Sequence, residues 1–206
     1  MSTLSVNVNN SLNQYGYLVY IANQKLNLVS RRSNLHDIMR QVEEAVLPMS
    51  WEVCKIKSPV LDIGTGAGIP GIPLKLADTS LNMNLLESNR RKCAFITNTV
   101  SNLKLSNVSV ICSRAEVFAD NSENTYRFMT VVSRGVGRLD QMLDWAERLL
   151  AERGELILWK DDSIRDELAE INRDIWESPQ FLKCQSQLTL ARVVRKSPTV
   201  MASNRV

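Results

Sequence analysis

The sequence predicts a doubly wound α/β fold: a mostly parallel, seven-stranded sheet with an all-helical N-terminal extension. Three observations carry that prediction. Past residue 50, short apolar runs alternate with stretches of helical periodicity, as they do where parallel strands are joined by crossover helices. The first run, Val60 to Ile63, opens into the glycine-rich turn Gly64-Thr65-Gly66-Ala67-Gly68. The second, Met83 to Glu87, ends on a carboxylate 19 residues after Gly68.

Taken in order, the elements begin with Leu12, Tyr15, Val19, Ala22 and Leu26, which recur at steps of three and four from Ser11 and mark an amphipathic helix. A second helix is expected from about Asn34 to Leu47, stopped by Pro48. Together these form the extension, residues 1–50, ahead of a sheet domain at residues 51–206. Strands are expected at Val60 to Ile63, Met83 to Glu87, Val108 to Cys112, Met129 to Ser133 and Glu155 to Trp159. Helical spacing fills the gaps, at Cys93, Ile96, Val100 and Leu103, and at Leu139, Met142, Leu143, Ala146, Leu149 and Leu150. Gly154 is expected to close that last helix. A further helix from Ile164 to Trp176 precedes Pro179 and two strand-like runs, Phe181 to Gln185 and Leu188 to Val194. An antiparallel hairpin at the sheet edge completes the seven strands.

Composition narrows the function. A chain of 206 residues with 44% apolar content buries a full core but is short for two independent domains. Its cysteines, Cys54, Cys93, Cys112 and Cys184, lie far apart with no CxxC pair, and His36 is the single histidine. Neither a metal site nor a disulfide framework is expected. His36 itself reads as a surface or packing residue. The N-terminus has no basic start or apolar core for secretion, and no apolar run approaches the ~20 residues needed to cross a bilayer. A soluble, cytoplasmic protein without membrane association, working as a monomer, is expected.

Net charge is only +3, yet it is unevenly spread. Before Asp37 the only charges are Lys25, Arg31 and Arg32. Ser88 to Arg114 holds Arg90, Arg91, Lys92, Lys104 and Arg114, and the chain after Glu177 holds Lys183, Arg192, Arg195, Lys196 and Arg205, both without an acid. Such segments are either solvated faces or phosphate-binding surfaces.

The turn after the first strand is the strongest chemical signal. Glycines there let a backbone pass close to a ligand, and Pro70 suits the first turn of the helix that follows. Glycine turns also occur in plain loops, so the context matters. Glu87, at the end of the next strand, is placed to accept hydrogen bonds from both hydroxyls of an adenosine ribose. A dinucleotide fingerprint starting at Gly64 needs glycine at position 69, where this chain has Ile69. Glycine at 64, 66 and 68 instead suits a turn around a small zwitterion, so a nucleoside cofactor other than NAD is expected. Ser113-Arg114-Ala115-Glu116, after the third strand, falls where an adenine edge lies in such sheets, or is a solvated loop. Ser133-Arg134-Gly135, after the fourth, puts a guanidinium at the ligand-binding edge, or an ordinary surface arginine.

The stretch Asp62 to Leu74 (DIGTGAGIPGIPL), with Leu85-Leu86-Glu87-Ser88 and Arg90-Arg91-Lys92, resembles the bacterial 16S ribosomal RNA guanine-N7 methyltransferases. The similarity continues through Ser113 to Glu116, Val132-Ser133-Arg134 and Leu158-Trp159-Lys160, and touches Asn23 and Asn27-Leu28. It implies a Rossmann-like methyltransferase fold, S-adenosyl-L-methionine as cofactor, and small-subunit ribosomal RNA or the 30S particle as partner. It further implies that Gly64 and Ile69 line the methionine side, that Ala115 and Glu116 meet the adenine, and that Arg134 lies in the cofactor pocket near the guanine. The candidate cofactor set is thus Asp62, Gly64, Thr65, Gly66, Gly68, Ile69, Glu87, Ser88, Ala115, Glu116 and Arg134, with Arg134 also the candidate catalytic residue. Arg91, Lys92 and Lys160 are candidates for contacting RNA. The chain departs from the family pattern where relatives show Arg-His and Asp-Ser, here Arg40-Gln41 and Glu44-Ala45. It departs again at Val29, where the family has threonine, and at Asp161, where it has glycine. A different RNA, a small molecule, or a cofactor-binding paralogue without activity are the alternatives these changes raise. Guanine N7 carries a lone pair and no proton, so its methylation needs no general base.

Overall fold

The computed structural model describes residues 5–135, 137–184 and 186–197. Helix α1 (Val6–Leu26) starts earlier than its apolar stripe because the Ser5 hydroxyl caps it, accepting from the Val8 amide. Helix α2 (Leu35–Ala45) is nucleated by a capping box in which Asn34 and Asp37 accept each other's backbone N–H groups. Then follow β1 (Val60–Ile63), α3 (Gly71–Ala77), β2 (Met83–Glu87), α4 (Arg90–Asn102), β3 (Val108–Cys112), α5 (Ala115–Asp120) and β4 (Phe128–Arg134). The chain ends with α6 (Leu139–Leu149), β5 (Leu150–Asp161), α7 (Ile164–Glu167), β6 (Gln180–Lys183) and β7 (Leu188–Val194).

The seven strands lie in the order β3-β2-β1-β4-β5-β7-β6. The first five are parallel, while β7 pairs antiparallel with both β5 and β6. The order reverses between β1 and β4, so their carboxyl ends diverge into a crevice, the place where open α/β sheets hold ligands. Alternate side chains divide the core between two layers. Val60, Met83, Leu85, Val132 and Ile157 pack with α1, α2 and α3, whereas Leu61, Ile63, Leu86, Val131 and Leu156 pack with α5 and α6.

Two expected elements change. Gly154 does not close α6; the helix ends at Leu149 and Gly154 lies inside β5. There the β4–β5 register slips between Phe128 and Thr130, and a Cβ on Gly154 would stand 2.8 Å from the Ala151 carbonyl oxygen. The glycine thus serves a strand bulge rather than a helix stop. The helix expected to reach Trp176 stops at Glu167. Downstream, the Asn172 side chain accepts from the Asp174 amide at 2.9 Å, an Asx turn that competes with helix, and Trp176 bridges to Arg195. Gln185, expected to end the sixth strand, and Arg205 lie outside the described residues.

Candidate active site

The carboxyl ends of β1, β2 and β3 bound a cleft of 170 Å³ lined by Ile63, Gly64, Leu86, Glu87, Ser88, Ser113, Arg114, Ala115, Glu116 and Trp145. It brings together five of the residues singled out from sequence: Gly64, Glu87, Ser88, Ala115 and Glu116. Glu87 is buried, at 8% exposure, and both its oxygens face backbone donors. The Gly66 amide donates to Oε2 at 3.0 Å and the Asn89 amide to Oε1 at 2.8 Å. Each carboxylate oxygen retains a lone-pair direction, so the pair can still accept two hydroxyl hydrogens. Glu116 is half-buried, and the Arg114 guanidinium beside it holds its carboxyl below the ordinary range.

Gly66 has φ +61° with open space around it; a Cβ would come no nearer than 3.8 Å, to the Gly64 carbonyl. Gly68 is different. At φ +100°, its Cβ would meet Ile72 Cδ1 at 2.5 Å and the Tyr15 hydroxyl at 3.1 Å. Gly68 therefore gives room to the protein's own side chains.

Asp62, Thr65 and Ile69 stand behind the turn. One Asp62 oxygen, Oδ2, accepts from the Thr65 hydroxyl at 2.6 Å and from the Gly71 amide at 2.8 Å, tying the turn to α3. The other, Oδ1, is buried without a partner. Burial pushes this carboxyl up to about 7, against the opposing pull of its Thr65 and Gly71 bonds. Tyr15 of α1 reaches the same turn, its hydroxyl donating to the Ala67 carbonyl at 2.9 Å; burial raises its pKa. Ile69 is buried in the apolar cluster shared with α1.

Arg134, at the end of β4, lines two clefts. One, of 370 Å³, includes Ser133, Gly135, Trp159, Lys160 and Leu188; the other, of 580 Å³, includes Arg40, Gln41, Glu44, Lys183 and Leu188. Its Nη2 donates to Glu44 Oε2 at 2.8 Å, and the pair is 15% and 8% exposed. The Glu44 carbonyl in turn accepts from the Trp159 indole at 2.9 Å, fixing the end of α2 to β5.

The candidate RNA-contacting residues separate. Lys160 is ion-paired with Glu167. Arg91 and Lys92 sit in the first turn of α4, where their amides donate to the Asn89 cap, and they do not line the clefts. Of the three acid-free segments, the last is partly neutralised in space: Arg192 makes two bonds to Glu155 and Lys183 pairs with Asp162, while Arg195 stacks on Tyr126 and Lys196 donates to the Arg173 carbonyl. Among the described residues, Lys25, Arg31, Arg32, Arg90, Arg91, Lys92 and Lys104 have no such carboxylate partner. Sequence reasoning missed Trp145, an aromatic one step off the apolar stripe of α6, and the pairing of Glu44 with Arg134 across 90 residues.

The residues at this edge suit a nucleoside with a charged tail. A buried carboxylate meets hydroxyls, Ile63 and Trp145 give apolar walls, and a turn of positive-φ glycines exposes backbone rather than side chain.

Residues 8–191 match the family model described as rRNA small subunit methyltransferase G. Relatives with the corresponding name, ribosomal RNA small subunit methyltransferase G, include that of Chlorobium chlorochromatii, 31% identical over 157 residues, which are 76% of this chain and 65% of that protein. The Mycoplasma capricolum protein is 31% identical over 84% of this chain and 73% of its own length. That of Chlorobaculum tepidum is 34% identical over 76% and 70%. The chain thus spans just under two thirds of the first relative's length. Among solved structures, a methyltransferase from Geobacter sulfurreducens superposes with a TM-score of 0.65 at 14% identity, over 96% of this chain and 92% of its own. A putative methyltransferase from Streptococcus mutans in complex with SAH reaches 0.55 at 14% identity, over 75% and 97%. At such identities the likeness shows the fold alone.

Proposed function

The chain belongs to the rRNA small subunit methyltransferase G family, and from that premise we propose that it transfers a methyl group from S-adenosylmethionine to N7 of a guanine in small-subunit (16S) ribosomal RNA. The observation that carries this reading is the buried Glu87 carboxylate beside the Gly66 amide, at the end of the second strand.

When bound, the donor supplies a methyl group on a positively charged sulfur. Glu87 accepts from the ribose hydroxyls, and its own bonds to Gly66 and Asn89 fix the carboxylate before the ligand arrives. Ser88, Ala115 and Glu116 border the adenine, with Trp145 as an apolar wall. Gly64, Gly66 and Ile69 shape the methionine side. Asp62 and Thr65 act one layer back, holding the turn against α3, with Gly68 packed over Ile72. Arg134 stands where the target base approaches. Since N7 brings its own lone pair, no residue need remove a proton, and the protein's work is alignment and exclusion of water.

Arg91 and Lys92 contact RNA phosphates, and Lys160 does so once released from Glu167. Residues 1–50 form the helical extension and 51–206 the donor-binding domain of a cytoplasmic, monomeric enzyme. Among the described residues, no helix is long and apolar enough to cross a membrane.

Incubating the purified chain with labelled S-adenosylmethionine and naked small-subunit RNA, 30S particles or a metabolite extract tests the reading. Label recovered as 7-methylguanine in small-subunit RNA is the expected result. Label on another RNA or a metabolite redirects the substrate, and bound donor without transfer removes the enzymatic reading.

A further inference from the structure

Arginine and carboxylate groups usually meet through two parallel N–H···O bonds. Arg134 and Glu44 use one. Nη2 donates to Oε2, while Arg134 Nη1 and Glu44 Oε1 are both buried without a hydrogen-bond partner among the described residues. An unmet buried donor and an unmet buried acceptor each carry a desolvation cost, and such groups call for an explanation. Both residues line the 580 Å³ cleft, whose other polar members are Arg40 and Lys183, paired with Asp37 and Asp162, and the uncharged Gln41, Ser186 and Gln187, side chains of a kind that contacts base edges.

We propose that Glu44 is a specificity-determining residue that, with Arg134, reads the O6/N1 edge of the target base: Arg134 donates to O6 and Glu44 accepts from N1–H. The inference rests on the guanine target proposed above. Its chemistry follows from what each base presents. Guanine offers an acceptor at position 6 beside a donor at N1, the complement of one free N–H and one free carboxylate oxygen. Adenine reverses both, setting an amino group against the guanidinium and a lone pair against the carboxylate. Arginine alone reads guanine through O6 and N7 together, which would occupy the lone pair that must attack the methyl group. Adding a carboxylate shifts the reading to O6 and N1 and leaves N7 free. Both atoms are buried in the resting arrangement, so the two side chains turn toward the cleft as the base edge enters and satisfies their unused valences.

A titration of the full chain, saturated with S-adenosylhomocysteine, with 5′-GMP, 5′-IMP and 5′-AMP tests this by NMR chemical shifts. IMP keeps O6 and N1–H and is expected to bind like GMP. AMP is expected to bind about ten-fold or more weakly, the discrimination of one good paired contact. Glu44→Gln should bring GMP and AMP to within about three-fold of each other, and Glu44→Asp, which keeps the charge, should retain the preference for GMP. Unchanged S-adenosylhomocysteine affinity in both variants shows that the fold survives. Equal GMP and AMP affinity in the native chain, no GMP binding in the millimolar range, or a preference untouched by Glu44→Gln overturns the proposal. A purely structural clamp would lower stability in Glu44→Gln and leave the nucleotide ratio unmoved, which also overturns it. Failure of methyl transfer to RNA would sink the functional reading separately, since the nucleotide ratio is read without turnover.

Discussion

Asp62 shows how a side chain can serve a site without touching it. Its carboxyl is wholly buried, bonded through one oxygen, and raised from 3.8 to about 7 by desolvation. The native state therefore keeps a proton that the unfolded chain releases near pH 4. Between those values stability falls as pH rises, because the unfolded state binds fewer protons, and the fall ends above about 7. The contribution is full below the unfolded value and is lost by the time the folded carboxyl ionises. Asp62→Asn, neutral at every pH, should remove this dependence. Denaturant unfolding at pH 5 and pH 8 should show the native protein losing about 2–3 kcal/mol more than the variant between the two. An identical pH dependence in both proteins would mean that Asp62 is ionised throughout.

The segment Gly64 to Gly71 divides into a part with open space around it and a part packed against the core, and its glycines separate accordingly. Gly68→Ala forces a Cβ to 2.5 Å from Ile72 at φ +100°, so it should destabilise the chain by about 2–4 kcal/mol, as overpacking and a left-handed backbone combine. Gly66→Ala meets no atom within 3.8 Å and should cost only about 1 kcal/mol of backbone strain, while weakening S-adenosylmethionine binding about ten-fold by covering the amide beside Glu87. Melting curves alongside calorimetry separate the two, and a Gly68 variant that melts normally would refute the division. The pattern G-T-G-A-G displays the turn in the sequence but not this asymmetry, because Ile72 folds over Gly68 only once α3 has wound and Tyr15 reaches it only once α1 has packed on α3. The same limit explains the other differences. Strand positions β1 to β5 were legible because apolar runs between helical stripes are local patterns. The bulge at Gly154 and the early end of α7 depend on β4 register and on the Trp176–Arg195 bridge, which no local pattern records. At the site, Glu87 was legible because a strand-end carboxylate has a fixed spacing from the turn. Glu44 was visible only as a departure from the family pattern, its contact with Arg134 being set by where α2 lands on the sheet.

Over the whole molecule, electrostatics selects a side. Although the chain carries three acid-free basic segments, folding pairs Arg192 and Lys183 of the C-terminal one with Glu155 and Asp162 and buries Arg195, whereas the cations of α1, the loop after it and α4 have no carboxylate partner among the described residues. Helices α1 and α4 touch each other, which puts Lys25 and the cations Arg90, Arg91 and Lys92 on neighbouring elements of one layer. This layer also adjoins the glycine turn, where the Leu28 carbonyl would stand 3.9 Å from a Cβ on Gly66. A phosphate backbone lying across it would present a base to the crevice. Reversing two of these charges, Arg91→Glu with Lys92→Glu, should therefore lower affinity for small-subunit RNA and reduce the slope of log K against log salt by about 2, one for each lost phosphate contact. Both side chains lie outside the cleft proposed to hold the cofactor, so S-adenosylmethionine affinity by calorimetry should stay unchanged. Filter binding across a salt series would decide the matter: an unaltered slope would move the RNA to another face, and a parallel loss of donor affinity would make the effect one of folding rather than of charge.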